Sequence, residues 1–88
     1  MTLEITVEPT RNDNSFIFIL NRQVVPPGTG LSYSDPVSTK DNPLAKSLFQ
    51  IKGVASLWMI SNEIQVTKND NARWPAIKSK ILETIHSS

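Results

Sequence analysis

The 88 residues leave room for one domain, since a second hydrophobic core would not fit in a chain of this length. Hydrophobic residues make up 39% and charged residues 19%, with a formal net charge of +1, which argues against a disordered or strongly self-repelling chain. The nine basic residues scatter from Arg11 to Lys80 with acidic residues between them, so the sequence shows no concentrated positive charge of the kind nucleic-acid binding needs.

The longest apolar-rich run, Val54 to Ile60, is seven residues and contains Ser56, far too short for a membrane span. Glu4 and Glu8 break any apolar run at the N-terminus, so no signal peptide is expected. There is no cysteine, which removes disulfides, thiolate nucleophiles and thiolate ligation of a metal or cluster together. The cytoplasm is the expected compartment.

In chain order, residues 2–8 alternate strictly, with Leu3, Ile5 and Val7 on one side and Glu4, Thr6 and Glu8 on the other, the pattern of a half-buried strand that Pro9 ends. Arg11-Asn12-Asp13-Asn14 is turn chemistry, because Asn and Asp side chains bond their own backbone. Phe16 to Leu20 reads as a second strand, apolar on both faces. Residues 21–43 are the least regular stretch: Pro26-Pro27-Gly28-Thr29-Gly30 cannot continue a ladder, Leu31 to Ser34 adds a short edge strand, and Asp35-Pro36 is a further break.

A first helix follows, capped by Asp41 or Asn42 with Pro43 at its first position. Leu44, Leu48 and Ile51 share its apolar face, Ala45 and Phe49 flank it, and Lys52-Gly53 closes it. Residues 54–60 and 63–68 are two strands around the two-residue loop Ser61-Asn62. A second helix is expected from near Asp70-Asn71 to about Ile85, with Pro75 in its first turn and Trp74, Ile77, Ile81 and Ile85 in one stripe. Leu82 widens that stripe and Lys78 sits at its margin, where its stem can pack while the ammonium reaches water. Two amphipathic helices on one face of an antiparallel-rich sheet make a two-layer α+β sandwich, a single domain over residues 1–88.

No catalytic constellation emerges. His86, the only histidine, lies three residues from the C-terminus, and without cysteine no nucleophile–base pair of the usual kind can be assembled. Gly28-Thr29-Gly30 lacks the lysine and the helix of a phosphate loop. Asn12, Asp13 and Asn14 are oxygen-rich, but the glycine and closing glutamate of a calcium loop do not follow, and an ordinary turn is the better account. No catalytic residue, no metal ligand and no cofactor held by this chain alone is therefore expected.

The strands offer a surface instead. With Ser61-Asn62 as the loop, Met59 faces Ile64 and Leu57 faces Val66 under the helices, which leaves Trp58 and Ile60 on the opposite face beside Gln65 and Glu63. Either Ile17 and Ile19 or Phe16 and Phe18 join them there. Such a strip marks a partner site or a homodimer seam, unless the 21–43 segment folds over it.

From Asn42 onward the sequence resembles the N-terminal domain of the Nfu/NifU-type iron–sulfur scaffold proteins. The residues that carry this are Pro43-Leu44-Ala45-Lys46-Ser47-Leu48-Phe49, Ile51-Lys52-Gly53-Val54, Ile64-Gln65-Val66-Thr67-Lys68, Trp74 and the isoleucine-rich last helix. Near the N-terminus, Glu8-Pro9-Thr10, Asn12 and Asn14-Ser15 are similar to that family's first loop motif, with Arg11 and Asp13 replacing two prolines. Ile60 stands where the family usually has glycine.

The resemblance implies the same α+β fold and a non-catalytic, protein-docking role in iron–sulfur cluster assembly or delivery, with the cluster on a partner. It also implies iron binding as a family description, and a module that stands without the Cys-x-x-Cys domain of longer members. Thr10, Asn12 and Asn14 join Trp58, Ile60, Ile17 and Ile19 as expected partner-binding residues, the partners being assembly or acceptor proteins or a weak homodimer, not nucleic acid or membrane. Iron or cluster carriage by oxygen ligands in a dimer, and a purely structural oligomerisation domain, are the alternatives.

Overall fold

The strands flanking Ser61-Asn62 form the middle of the sheet. In the computed structural model, which describes residues 3–26 and 28–87, Val54–Ile60 (β4) pairs with Glu63–Lys68 (β5) in the anticipated register, Met59 opposite Ile64 and Leu57 opposite Val66. The turn is closed by Ser61 in the left-handed region at φ 54°, and its backbone is bound on the far side: Leu20 N–H donates to the Asn62 carbonyl at 2.9 Å and Val24 N–H to the Ser61 carbonyl at 2.8 Å.

Around this hairpin the sheet is completed by Ile5–Pro9 (β1), Ser15–Leu20 (β2) and Gly30–Tyr33 (β3), all antiparallel, in the spatial order β1-β2-β5-β4-β3. The first strand ends on Pro9, one residue later than the sequence pattern suggests, and residue 2 of the anticipated strand lies outside the described residues, as does residue 27 of the proline-rich break. A register shift between Val54 and Ser56 places a bulge at Ala55, where the chain enters the sheet.

Pro43–Phe49 (α1) begins as expected, and Asn42 supplies the cap: its Oδ1 accepts the Ala45 N–H at 3.1 Å. The Asn42 amide also donates to the Tyr33 hydroxyl at 3.1 Å, tying the helix start to β3. Ala45 and Leu48 are the buried residues of α1, and Leu44 is only half-buried. Trp74–His86 (α2) starts at Trp74, with Arg73 as a cap that makes no side-chain hydrogen bond. Asp70 and Asn71 belong to the preceding turn, because the Asp70 carboxylate is engaged by the Asn14 side-chain amide instead of capping.

Both helices pack on one face. Phe18, Leu48, Met59, Ile64, Val66, Ile81 and Ile85 are fully buried between the layers, joined by Leu20, Leu57 and Ile77. Period-2 alternation in β4 and β5 and the isoleucine stripe of α2 supply these side chains, so the two-layer α+β sandwich follows from the pattern. The segment after β2 sends Val25 into this core.

Candidate functional site

The face of the sheet away from the helices is set by the ladder. Phe18 opposes Ile64 and so lies in the core, which turns Ile17 and Ile19 outward. Two rows cross the open face: Glu8, Ile17, Gln65, Trp58 and Ser32, then Thr6, Ile19, Glu63, Ile60 and Gly30. Trp58 is 38% and Ile60 39% exposed, and Ile17 and Ile19 are half-buried, so the 21–43 segment does not bury the strip.

The rows also refine the strip. Gln65 and Glu63 of the central strand stand between the two isoleucines and the Trp58/Ile60 pair. At a strand spacing of about 4.8 Å, the apolar pairs sit roughly 10 Å apart on either side of a polar rib. Glu8 and Glu63 are the only charged residues among these paired positions, and both are acidic.

Trp58 is positioned by a glycine. A Cβ on Gly30 would come within 2.5 Å of the Trp58 six-membered ring, so the indole lies over the bare backbone of the edge strand. Gly30→Ala is therefore expected to lift the indole outward. A red shift in its fluorescence, with a stability change below about 1 kcal/mol for this exposed side chain, is the result to look for; an unmoved spectrum would mean that the ring does not rest on Gly30.

Thr10, Asn12 and Asn14 lie at the other end of the sheet and are engaged within the fold. Thr10 Oγ1 donates to the Asn12 carbonyl at 2.9 Å and accepts the Asn12 N–H at 3.0 Å, and Asn12 Oδ1 accepts the Asn14 N–H at 2.9 Å. Asn14 accepts from Lys68 Nζ at 2.9 Å, and the Trp74 indole donates to the Asp13 carbonyl at 2.9 Å. This network closes the β1–β2 loop onto the end of β5 and the start of α2. Ser15 and Ile19 are four strand residues apart, about 13 Å, so the structure does not bring this loop together with Trp58 and Ile60. Phe16 packs edge-on against Trp74, ring centroids 4.6 Å apart, with Lys78 Nζ 5.8 Å from the Phe16 centroid, the margin position anticipated for that lysine.

One concave feature escaped the sequence reading. A cleft of about 730 Å³ opens where the Lys52-Gly53 turn, residues 69–73 and the first turns of α2 meet, and Lys52, Arg73 and Lys80 line it. The seven-residue spacing of Arg73 and Lys80, two helical turns, was the available signal; Lys52 enters only through the tertiary fold. Among the described residues no group of three or more His, Cys, Asp or Glu side chains converges, and the chain has no cysteine, so its donor set does not fit thiolate ligation of a cluster.

The family model described as "Scaffold protein Nfu/NifU N terminal" matches residues 5–88. The chain is 35% identical over 82 residues to the human "NFU1 iron-sulfur cluster scaffold homolog, mitochondrial", covering 92% of this chain and 32% of that protein. It is 30% identical over 84 residues to the Drosophila willistoni protein of the same name, covering 96% of this chain and 29% of the relative. It thus spans about three-tenths of the length of these curated relatives. A NifU-like protein from Saccharomyces cerevisiae, solved by NMR, superposes with a TM-score of 0.87 at 21% identity, covering 98% of this chain and 77% of that one. A Staphylococcus aureus crystal structure gives 0.81 at 22%, covering 97% and 99%, and both likenesses speak to the fold alone. By the family model, sustained over nearly its whole length, the chain belongs to the Nfu/NifU N-terminal scaffold family.

Proposed function

We propose that this domain acts without catalysis in iron–sulfur cluster assembly or delivery, docking onto an assembly or acceptor protein through its uncovered sheet face while the partner holds the cluster. The observation that carries this is the exposure of Trp58 and Ile60 on a face that no element of the described chain covers. Exposed aromatic and branched side chains flanked by polar groups are the usual composition of a docking centre. The family membership supports the process, and the lack of cysteine supports recognition over ligation as this chain's part in it.

The polar rib specifies the partner further. A complementary surface presents two apolar patches about 10 Å apart, with a donor or cation opposite Glu63 and Gln65. The Thr10–Asn14 loop belongs to the proposal as a secondary contact, separate from the Trp58/Ile60 strip. Cytoplasmic residence is also part of it, although the relatives cited above are named mitochondrial.

The test is an NMR titration of the labelled domain with cysteine-bearing cluster-assembly proteins. Shifts at Trp58, Ile60, Ile17 and Ile19 are expected, and Trp58→Ser with Ile60→Ser should weaken binding roughly tenfold or more, about 1.4 kcal/mol. Shifts confined to other faces, or equal affinity of the double variant, would sink the proposal. Iron retained stoichiometrically by the isolated domain after desalting would favour oxygen-ligand carriage instead. Concentration-dependent light scattering from the domain alone would point to a homodimer seam.

A further inference from the structure

The cleft beside α2 differs in chemistry from the open sheet face. Its cations come from three places in the chain: Lys52 before β4, Arg73 at the cap of α2 and Lys80 two turns along. All three are exposed, and none is engaged in an ion pair among the described residues. Asp70 is the only carboxylate in the lining, and it already accepts the Asn14 amide.

The helix end contributes little to this charge. Pro75 has no N–H, and the Ala76 N–H is bonded to the Arg73 carbonyl at 3.0 Å. The positive field is therefore one of exposed side chains, in a cleft also lined by Gly53, Ala72, Ala76 and Ile77. Such a site suits an extended chain bearing several carboxylates, whose backbone lies on small residues while its charges meet the three cations. The volume, about 730 Å³, holds several residues of peptide.

We propose that this cleft binds an acidic segment of a protein partner, a second contact independent of the sheet face. The two surfaces are of opposite sign, since the open face carries Glu8 and Glu63 and the cleft carries Lys52, Arg73 and Lys80. One acidic segment therefore does not serve both, and one partner using both must itself be bipolar.

The experiment is a titration of the labelled full chain with an acetylated, amidated peptide of eight glutamates, followed by amide shifts at low and moderate salt. Expected are shifts at Gly53, Asn71, Ala72 and Arg73 with Trp58 and Ile60 unmoved, and affinity falling at least threefold between about 50 and 300 mM salt, where screening shortens from roughly 14 to 6 Å. The triple change Lys52→Gln, Arg73→Gln and Lys80→Gln should weaken binding at least tenfold, whereas Lys46→Gln on exposed α1 surface should not. Because these side chains are exposed, the dispersion of the variant's spectrum confirms that it is folded. Equal binding of an eight-glutamine peptide, no shifts at millimolar peptide, or shifts at Trp58 would each overturn the proposal. So would equal shifts from inorganic phosphate, which would make the cleft a small-anion site, or tighter binding of a single-stranded oligonucleotide there.

Discussion

Phe18→Ala is expected to lower the stability of the domain by about 3–5 kcal/mol. Phe18 is fully buried in β2, between Val7 on one side and Ile64 on the other, and faces the helix layer. Truncating a buried phenylalanine costs about 3–5 kcal/mol through lost transfer energy and the cavity left behind. A domain of 88 residues has in total roughly 4–13 kcal/mol, at about 0.05–0.15 kcal/mol per residue. The loss therefore removes a large share of the stability. Urea unfolding followed by circular dichroism gives the number, with Phe16→Ala as comparison. Phe16 is only half-buried at the rim against Trp74 and should lose about half as much. Equal effects at the two positions would mean that Phe16 is packed against Trp74 as tightly as Phe18 is packed in the core.

Gly53→Ala should cost roughly 2–4 kcal/mol, for two separable reasons. Gly53 has φ +109°, a conformation that an L-residue with a side chain rarely adopts, and the new Cβ would lie 2.8 Å from the Ala72 Cβ. The backbone cannot retreat freely, because the Gly53 carbonyl accepts the Asn69 N–H at 2.8 Å. Pairing the change with Ala72→Gly removes the overlap and leaves the dihedral strain. Thermal melts of the single and double variants should then show partial recovery. Complete recovery would place the whole cost in the collision, and none would place it in the backbone.

Much of this architecture was legible in the sequence, and the places where it was not share a cause. Alternation in Val54 to Ile60 and Glu63 to Lys68 set the hairpin register, because one parity is buried and the other is not. The α1 start was equally readable, since Asn42 and Pro43 are a cap and first turn by their own chemistry. In β2 both parities are apolar, so only the pairing of Phe18 with Ile64 decides that Ile17 and Ile19 face outward. The start of α2 lies at Trp74, beyond Asp70, because a side chain 56 residues away engages that carboxylate. The candidate surfaces divide in the same way. Trp58 and Ile60 followed from local periodicity, while the grouping of Lys52 with Arg73 and Lys80 exists only after the hairpin and α2 have met.

The spatial order β1-β2-β5-β4-β3 bears on how the chain emerges during synthesis. The β1–β2 hairpin can close early, but the inner edge of β2 is matched by β5 and that of β3 by β4. While residues 54–68 are still inside the ribosome, Ile17 and Ile19 and the free edge of β2 emerge with no strand to pair with. Completion of the sheet waits for the last strand and for α2 behind it, and pairing across such sequence distances is intrinsically slow. The nascent chain thus passes through an interval in which the apolar strand β2 is an unprotected edge, open to pairing with neighbouring chains.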